Sequence, residues 1–198
     1  MIKNVCLGIC LMLTIPALLF GAGSREINEE SHLNMISVTH DLGTTQLIPD
    51  PERIVVFDFG VLDALDYAGV DVVGIGQGGV IPEYLSSYGQ APYTRAGSLH
   101  EPDFETVYDL EPDLIIIGTR AADAYDELSR IAPTVLLSMP MGNYMDTFTQ
   151  NMEVLAEIFP SRGSSFTDVI QEIAAKTAQL NNSIADAEYS ALAMITNS

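Results

Sequence analysis

The chain has 198 residues, 47% of them hydrophobic, with 8 Lys and Arg against 27 Asp and Glu and a formal net charge of −19. That size suits one domain, or one domain with part of another, and so basic-poor a chain cannot supply a phosphate-binding face, which excludes nucleic acid as a partner. A small anion is not excluded. Opposite charges ~4 Å apart gain roughly 4 kcal/mol gross at an effective dielectric near 20, whereas charges beyond ~8–10 Å are screened by salt.

In chain order, Lys3 precedes an apolar run from Val5 to Phe20 and the small residues Gly21, Ala22 and Gly23. This is the pattern of a secretory signal peptide, expected over 1–23, with an uncleaved anchor as the alternative; the run is marginally short for a membrane span and no stop-transfer charges follow. Cys6 and Cys10 both lie inside it, and Ile9 stands where a lipidated cysteine needs a small predecessor. The mature chain is therefore expected to hold together without a disulfide. Residues 24–35 are polar and aperiodic, a flexible leader. An α/β lobe is expected over 36–162. It opens with a hairpin, Ile36–His40 and Thr44–Ile48, turning at Asp41, Leu42 and Gly43. Pro49 and Pro51 break the chain before Arg53 and a buried strand, Ile54–Phe57. Asp58 is placed to cap a helix carrying Val61, Leu62, Leu65 and Ala68, which Gly69 ends.

A second strand is predicted over Val70–Ile75, then a glycine-rich turn and a short Pro-led segment, Pro82–Tyr88. A helix follows over Pro102–Asp109. Pro112 bars it from continuing into Leu114–Ile117, an apolar run suited to a parallel strand covered on both faces. The pattern then predicts a helix over Ala121–Ile131, a strand over Thr134–Leu137, and a helix marked by Tyr144, Phe148, Met152, Leu155 and Phe159. Alternating strands and helices with short loops make a parallel sheet with right-handed crossovers, in three layers. From Ser164 the pattern changes. Phe166, Val169, Ile170, Ile173, Ala174, Thr177, Leu180 and Ile184 form one stripe, predicting a single helix over 163–189. About 25 residues at 1.5 Å each give ~37 Å, longer than the preceding lobe needs. Ala191–Ile195, within 190–198, reads as a strand with nothing to pair with, as if a second domain were cut at its start.

Motifs of catalysis are few. Gly74, Gly76 and Gly79 satisfy G-x-G-x-x-G, with Glu101 22 residues on, so a nucleotide-dependent α/β enzyme using the Gly74–Gly79 loop is the rival of a different class. Its context is poor, because Pro82, Ser86 and Ser87 leave no room for a full helix; a loop needing close backbone approach explains the glycines equally. His32, His40 and His100 do not cluster, so no protein-ligated metal is expected. There is no Gly-x-Ser-x-Gly elbow, Walker loop or His-Glu-x-x-His. Asp103 with Glu105, and Asp123 with Asp126 and Glu127, read as solvated faces without a histidine or lysine to make an acid–base pair, and the chain reads as a non-enzyme. The candidate that stands out is Arg120, in Gly118-Thr119-Arg120 just past a strand's carboxyl end, where open α/β sheets bind ligands. An ion pair with Asp123 is the plainer reading. For Glu105 the plainer reading is an ordinary surface acid.

The segments Val38–Thr45, Pro51–Asp58, Gly97–Glu105, Glu111–Ile117 and Ala124–Thr134 together resemble the ferric-siderophore-binding proteins of ATP-binding-cassette importers, most nearly the catecholate type. The resemblance implies two α/β lobes bridged by one rigid helix, with ligand in the cleft between them, so that this chain would hold the N-terminal lobe, the bridge and the first strand of a second lobe. It implies that Arg120 grips the anionic oxygens around ferric iron, a task suited to a planar, permanently charged fork. It implies that Glu105 docks the lobe on the membrane permease dimer, and that Phe59, Gly60, Gln77 and Gly78 line the cleft. Iron would arrive inside the siderophore, with no cofactor of the protein's own, and the protein would be a monomer at the periplasm or cell surface. Haem or a corrinoid on the same fold is the nearest alternative. Because the remaining ligand residues would belong to the second lobe, the chain alone is expected to bind weakly or not at all.

Overall fold

A computed structural model describes residues 35–185 apart from positions 78 and 141. The expected hairpin forms from β1 (Ile36–His40) and β2 (Gly43–Leu47), antiparallel, with Val38 opposite Thr45. The main sheet contains β3 (Ile54–Phe57), β4 (Gly74–Ile75), β5 (Thr94–Arg95), β6 (Leu114–Ile117) and β7 (Thr134–Leu136), all parallel. Their spatial order is β5-β4-β3-β6-β7. The chain thus builds outward from β3 through β4 and β5, then returns to β3's other side for β6. That reversal creates a crevice between the carboxyl ends of β3 and β6, the place where doubly wound sheets receive ligands.

Helices cover both faces. On one side Ile54, Val56, Leu114, Ile116 and Val135 pack under α1 (Phe59–Ala68), α4 (Tyr144–Ile158) and the start of α5 (Gly163–Ile184). On the other, Val55, Phe57, Ile115, Ile117 and Leu136 pack against α2 (Phe104–Asp109), α3 (Tyr125–Leu128) and Ala121. The period of two sends alternate residues of each strand to opposite cores. Every residue of β3 and β6 is buried, which explains why both read as unbroken apolar runs. Each such side chain contributes about 1.5–3 kcal/mol of transfer free energy.

Polar residues just before these strands set their register. The Asp113 carboxylate accepts hydrogen bonds from Glu52 N (2.9 Å) and Arg53 N (2.8 Å), while Arg53 Nε donates to the carbonyls of Leu110 and Glu111 at 3.1 Å. Ile54 therefore lies opposite Leu114, and the guanidinium meets the negative end of α2. The hairpin shields the outer edge of β7: Thr45 Oγ1 donates to the Thr134 carbonyl at 2.6 Å and accepts from His40 Nε2 at 3.0 Å.

Several boundaries differ from the sequence pattern. The strand expected over Val70–Ile75 pairs only at Gly74 and Ile75, because Val70 is still held by the α1 cap through Leu65 O. The two-residue β5 has no apolar run to announce it. In place of a helix over Ala121–Ile131 there is a 3₁₀ segment, Thr119–Ala124, and the single turn of α3. No side chain caps Gly118 or Ala124, so the tighter i→i+3 bond, Ala121 N to Gly118 O, satisfies the first donors instead. In α4, Met152 and Leu155 are buried and Phe148 half-buried, but Tyr144 is 63% exposed. Only the first half of the α5 stripe is covered: Phe166 is buried, whereas Leu180 and Ile184 are 64% and 62% exposed. The signal peptide and leader over 1–34, and the strand expected at Ala191–Ile195, lie outside the described residues.

Candidate functional site: the carboxyl rim of the sheet

The rim is assembled by backbone geometry at the β3–β6 crevice. Asp58, the residue after β3, caps α1: its Oδ1 accepts from Gly60 N at 2.8 Å and Val61 N at 3.1 Å. Its other oxygen faces Gly118, the residue after β6, so closely that a Cβ there would lie 2.4 Å from Oδ2. Only a glycine lets the two strand ends approach this nearly. Two residues on, Arg120 stands exposed in the 3₁₀ turn. It makes no ion pair within 4.0 Å among the described residues, where Lys176–Glu172 is the only pair, so the anticipated partner Asp123 does not engage it. An unpaired guanidinium at a switch point can accept an anionic ligand without first giving up a protein partner.

The other candidates fall out unevenly. Gly60 lines a cavity on this rim, whereas the ring of Phe59 is half-buried against the first core. Gln77 donates its backbone N–H to Gly97 O (2.9 Å), tying the turn after β4 to the turn after β5, and its amide leans toward Gly89. Gly78 lies outside the described residues. Glu105 is exposed in the first turn of α2, where a carboxylate suits the helix dipole. Beside it Asp103 caps the helix, and the Thr106 N–H (3.2 Å to Oδ1) holds its carboxyl below the usual range. Gly97, at φ 106°, makes the tight turn that feeds α2; a Cβ there would meet the Asp103 N at 2.4 Å.

Sequence reasoning missed the cavity itself. About 120 Å³ lies between the ends of β3 and β7, walled by Val61, Leu137, Met139, Tyr144, Phe148 and Met152, with Asp58, Asp63 and Asn151 as its polar members. Tyr144, Phe148 and Met152 were legible only as a helical stripe. Although Asp63 is exposed, partial desolvation, and then the neighbouring Asp66, push its carboxyl up. Burial also lowers the His40 imidazole, whose Nδ1 accepts from Leu42 N (3.3 Å) while Nε2 donates to Thr45, a neutral tautomer already satisfied. His40 is thus a hairpin fastener. Among the described residues no three His, Cys, Asp or Glu gather as metal ligands. Nor does the glycine-rich loop open a phosphate-binding helix: Gly74 and Gly76 sit where a Cβ would strike Leu110 and Phe57, and the next element is a 3₁₀ helix, Glu83–Gly89. These glycines serve packing. Tyr88 fastens that segment to α1 by donating to Asp66 Oδ1 (2.7 Å), and burial raises its phenol.

A doubly wound parallel sheet with an open rim at its switch point places this lobe in the class of open α/β folds, which receive ligands at such crevices. Residues 61–198 match the family model described as periplasmic binding protein (Peripla_BP_2), and the chain belongs to that family. It is 39% identical over 160 residues, 79% of this chain and 48% of the relative, to the petrobactin-binding protein YclQ of Bacillus subtilis. The YclQ crystal structure superposes with a TM-score of 0.74 at 37% identity, covering 78% of this chain and 55% of that one. The periplasmic catecholate-siderophore-binding protein VctP of Vibrio cholerae gives a TM-score of 0.70 at 37% identity, covering 76% and 55%. The ferric-anguibactin-binding protein FatB of Vibrio anguillarum is 29% identical over 167 residues, 82% of this chain and 51% of FatB. The chain spans about half the length of the curated relatives it matches.

Proposed function

We propose that this chain serves a solute-binding protein that captures an Fe(III)–siderophore, catecholate type favoured, and delivers it to the permease dimer of an ATP-binding-cassette importer. The observation that carries the reading is Arg120, an exposed guanidinium with no ion pair among the described residues, set at the switch point of the sheet. A ferric catecholate presents anionic oxygens around its metal, and the planar fork can meet two of them together. Similarity to proteins named for petrobactin, ferric anguibactin and a catecholate siderophore supports this ligand class. Iron enters as part of the cargo, the protein is non-catalytic, and Glu105 offers an exposed acid for permease docking. The work is done at the periplasmic or cell surface by a monomer.

The described residues supply one wall of the cleft. Their rim cavity of about 120 Å³ is well below the ~300–1,000 Å³ that encloses a drug-sized ligand. α5 runs on from this wall with Leu180 and Ile184 uncovered, as a helix that meets a further body would. Titrating the chain with a ferric catecholate while following tyrosine fluorescence tests the reading. Weak quenching or none is expected of the chain alone, and nanomolar affinity refutes the need for an opposing wall; in the transporting protein, absence of saturable quenching refutes ferric-catecholate binding. Glu105→Ala in the transporting protein should leave affinity intact and abolish uptake.

A further inference from the structure

The cavity between the ends of β3 and β7 is not needed to explain Arg120, and its chemistry points the other way. Its walls are apolar and aromatic, from Val61, Leu137, Met139, Tyr144, Phe148 and Met152, while its two carboxylates are Asp58 and Asp63. Among the described residues no lysine or arginine lines it. At about 120 Å³ it exceeds a single water's ~30 Å³ share of liquid volume about fourfold, room for a short chain but not for a metal chelate. Because α1's N-terminus satisfies Asp58 through Oδ1, the open charge of the cavity rests mainly on Asp63.

We infer that this slot takes a protonated alkylamine, its hydrocarbon stem against Leu137, Met139 and Phe148 and its ammonium beside Asp63 and the ring of Tyr144. The physical grounds are complementary. An ammonium gains from a carboxylate and from an aromatic face, and its methylenes cover apolar walls. An amine would also offset the negative charge that exposed Asp63 shares with Asp66 on α1. Among the described residues nothing else on the rim offers this combination: Arg120 suits anions, so the two sites would read opposite ends of a zwitterionic ligand. As a subsite of the cleft, the slot rests on the function proposed above, and it specifies a siderophore whose arms carry amines.

The probe is n-butylammonium, with 1-butanol as its neutral counterpart, titrated at physiological salt into the chain carrying carbon-13 methionine methyls. The Met139 and Met152 methyl resonances report the slot directly. Saturable shifts of both are expected with the amine, with affinity about fivefold above that of the alcohol, and Asp63→Asn should erase that preference. Equal response to amine and alcohol, shifts unaffected by Asp63→Asn, or no saturable shift at either methyl would overturn the inference. A ferric tris-catecholate lacking amines separates the two claims. If it fails to bind the transporting protein while butylammonium shifts Met139 and Met152, the slot stands and the siderophore reading falls.

Discussion

Replacing Gly118 with alanine tests how the rim is built. The backbone there, at φ −93° and ψ 179°, accepts any residue, so the whole effect is steric. An ideal Cβ would lie 2.4 Å from Asp58 Oδ2 and 3.0 Å from its Cβ and Cγ. Asp58 cannot yield freely, because Oδ1 is holding the first turn of α1 through Gly60 N and Val61 N. Overpacking of this kind costs about 1–3 kcal/mol, and loss of an N-cap about 0.5–2 kcal/mol. Gly118→Ala should therefore destabilise the fold by about 2–3 kcal/mol, and Asp58→Ala alone by about 1 kcal/mol. In the double variant the colliding carboxylate is gone, leaving a Cβ contact that a few tenths of an ångström relieve. Its cost should fall short of the sum by about 1–2 kcal/mol, a coupling that urea denaturation followed by far-ultraviolet circular dichroism can resolve. Additive losses, or a Gly118→Ala variant within about 0.5 kcal/mol of the parent, would refute the argument that glycine is required for close approach of the strand ends.

Gly97→Ala combines a φ of 106° with a Cβ 2.4 Å from a backbone nitrogen, and should cost more than Gly118→Ala, by at least about 3 kcal/mol in the same denaturation assay. Asp113→Asn turns an acceptor into a donor facing either Glu52 N or Arg53 N, and is expected to lose about 1–2 kcal/mol; an unchanged midpoint would show that the two strands are aligned by packing alone. Burial depresses the His40 pKa in the folded state, so its contribution to stability is complete above the unfolded value near 6.5 and is lost as pH falls toward the folded pKa. The melting temperature should drop between pH 7.5 and 5.5, and His40→Gln, which keeps a donor for Thr45, should flatten that slope; an equally steep slope in the variant contradicts the assignment.

Residues whose local chemistry is self-sufficient were legible from sequence. β3 and β6 announced themselves as short apolar runs, the Asp58 cap and Gly69 stop bounded α1, and β6 recovered its expected limits because Pro112 and Gly118 flank it. What depended on partners far along the chain was not legible. β5 exists only because β4 offers it an edge, and the segment after Gly118 tightens into a 3₁₀ helix where an apolar pattern suggested eleven helical residues. The same divide runs through the site. Arg120 could be named from its place after a strand, but its lack of an ion-pair partner among the described residues required the fold. Asp58 was visible as a cap, not as the residue that meets Gly118. Tyr144, Phe148 and Met152 share one helical face, yet the face slides from solvent at Tyr144 to core at Met152, and the half-covered zone between is the slot. No periodicity in one helix reveals that, since Leu137 and Met139 complete it from β7's end.

The most direct test of the account is the affinity of the transporting protein that carries this lobe for a ferric tris-catecholate, measured by isothermal titration for the parent, Arg120→Lys and Arg120→Ala. A charge-assisted, forked contact predicts an ordered series, with lysine intermediate and alanine weaker than the parent by about tenfold or more. Equal affinity in all three would contradict the claim that Arg120 holds the anion.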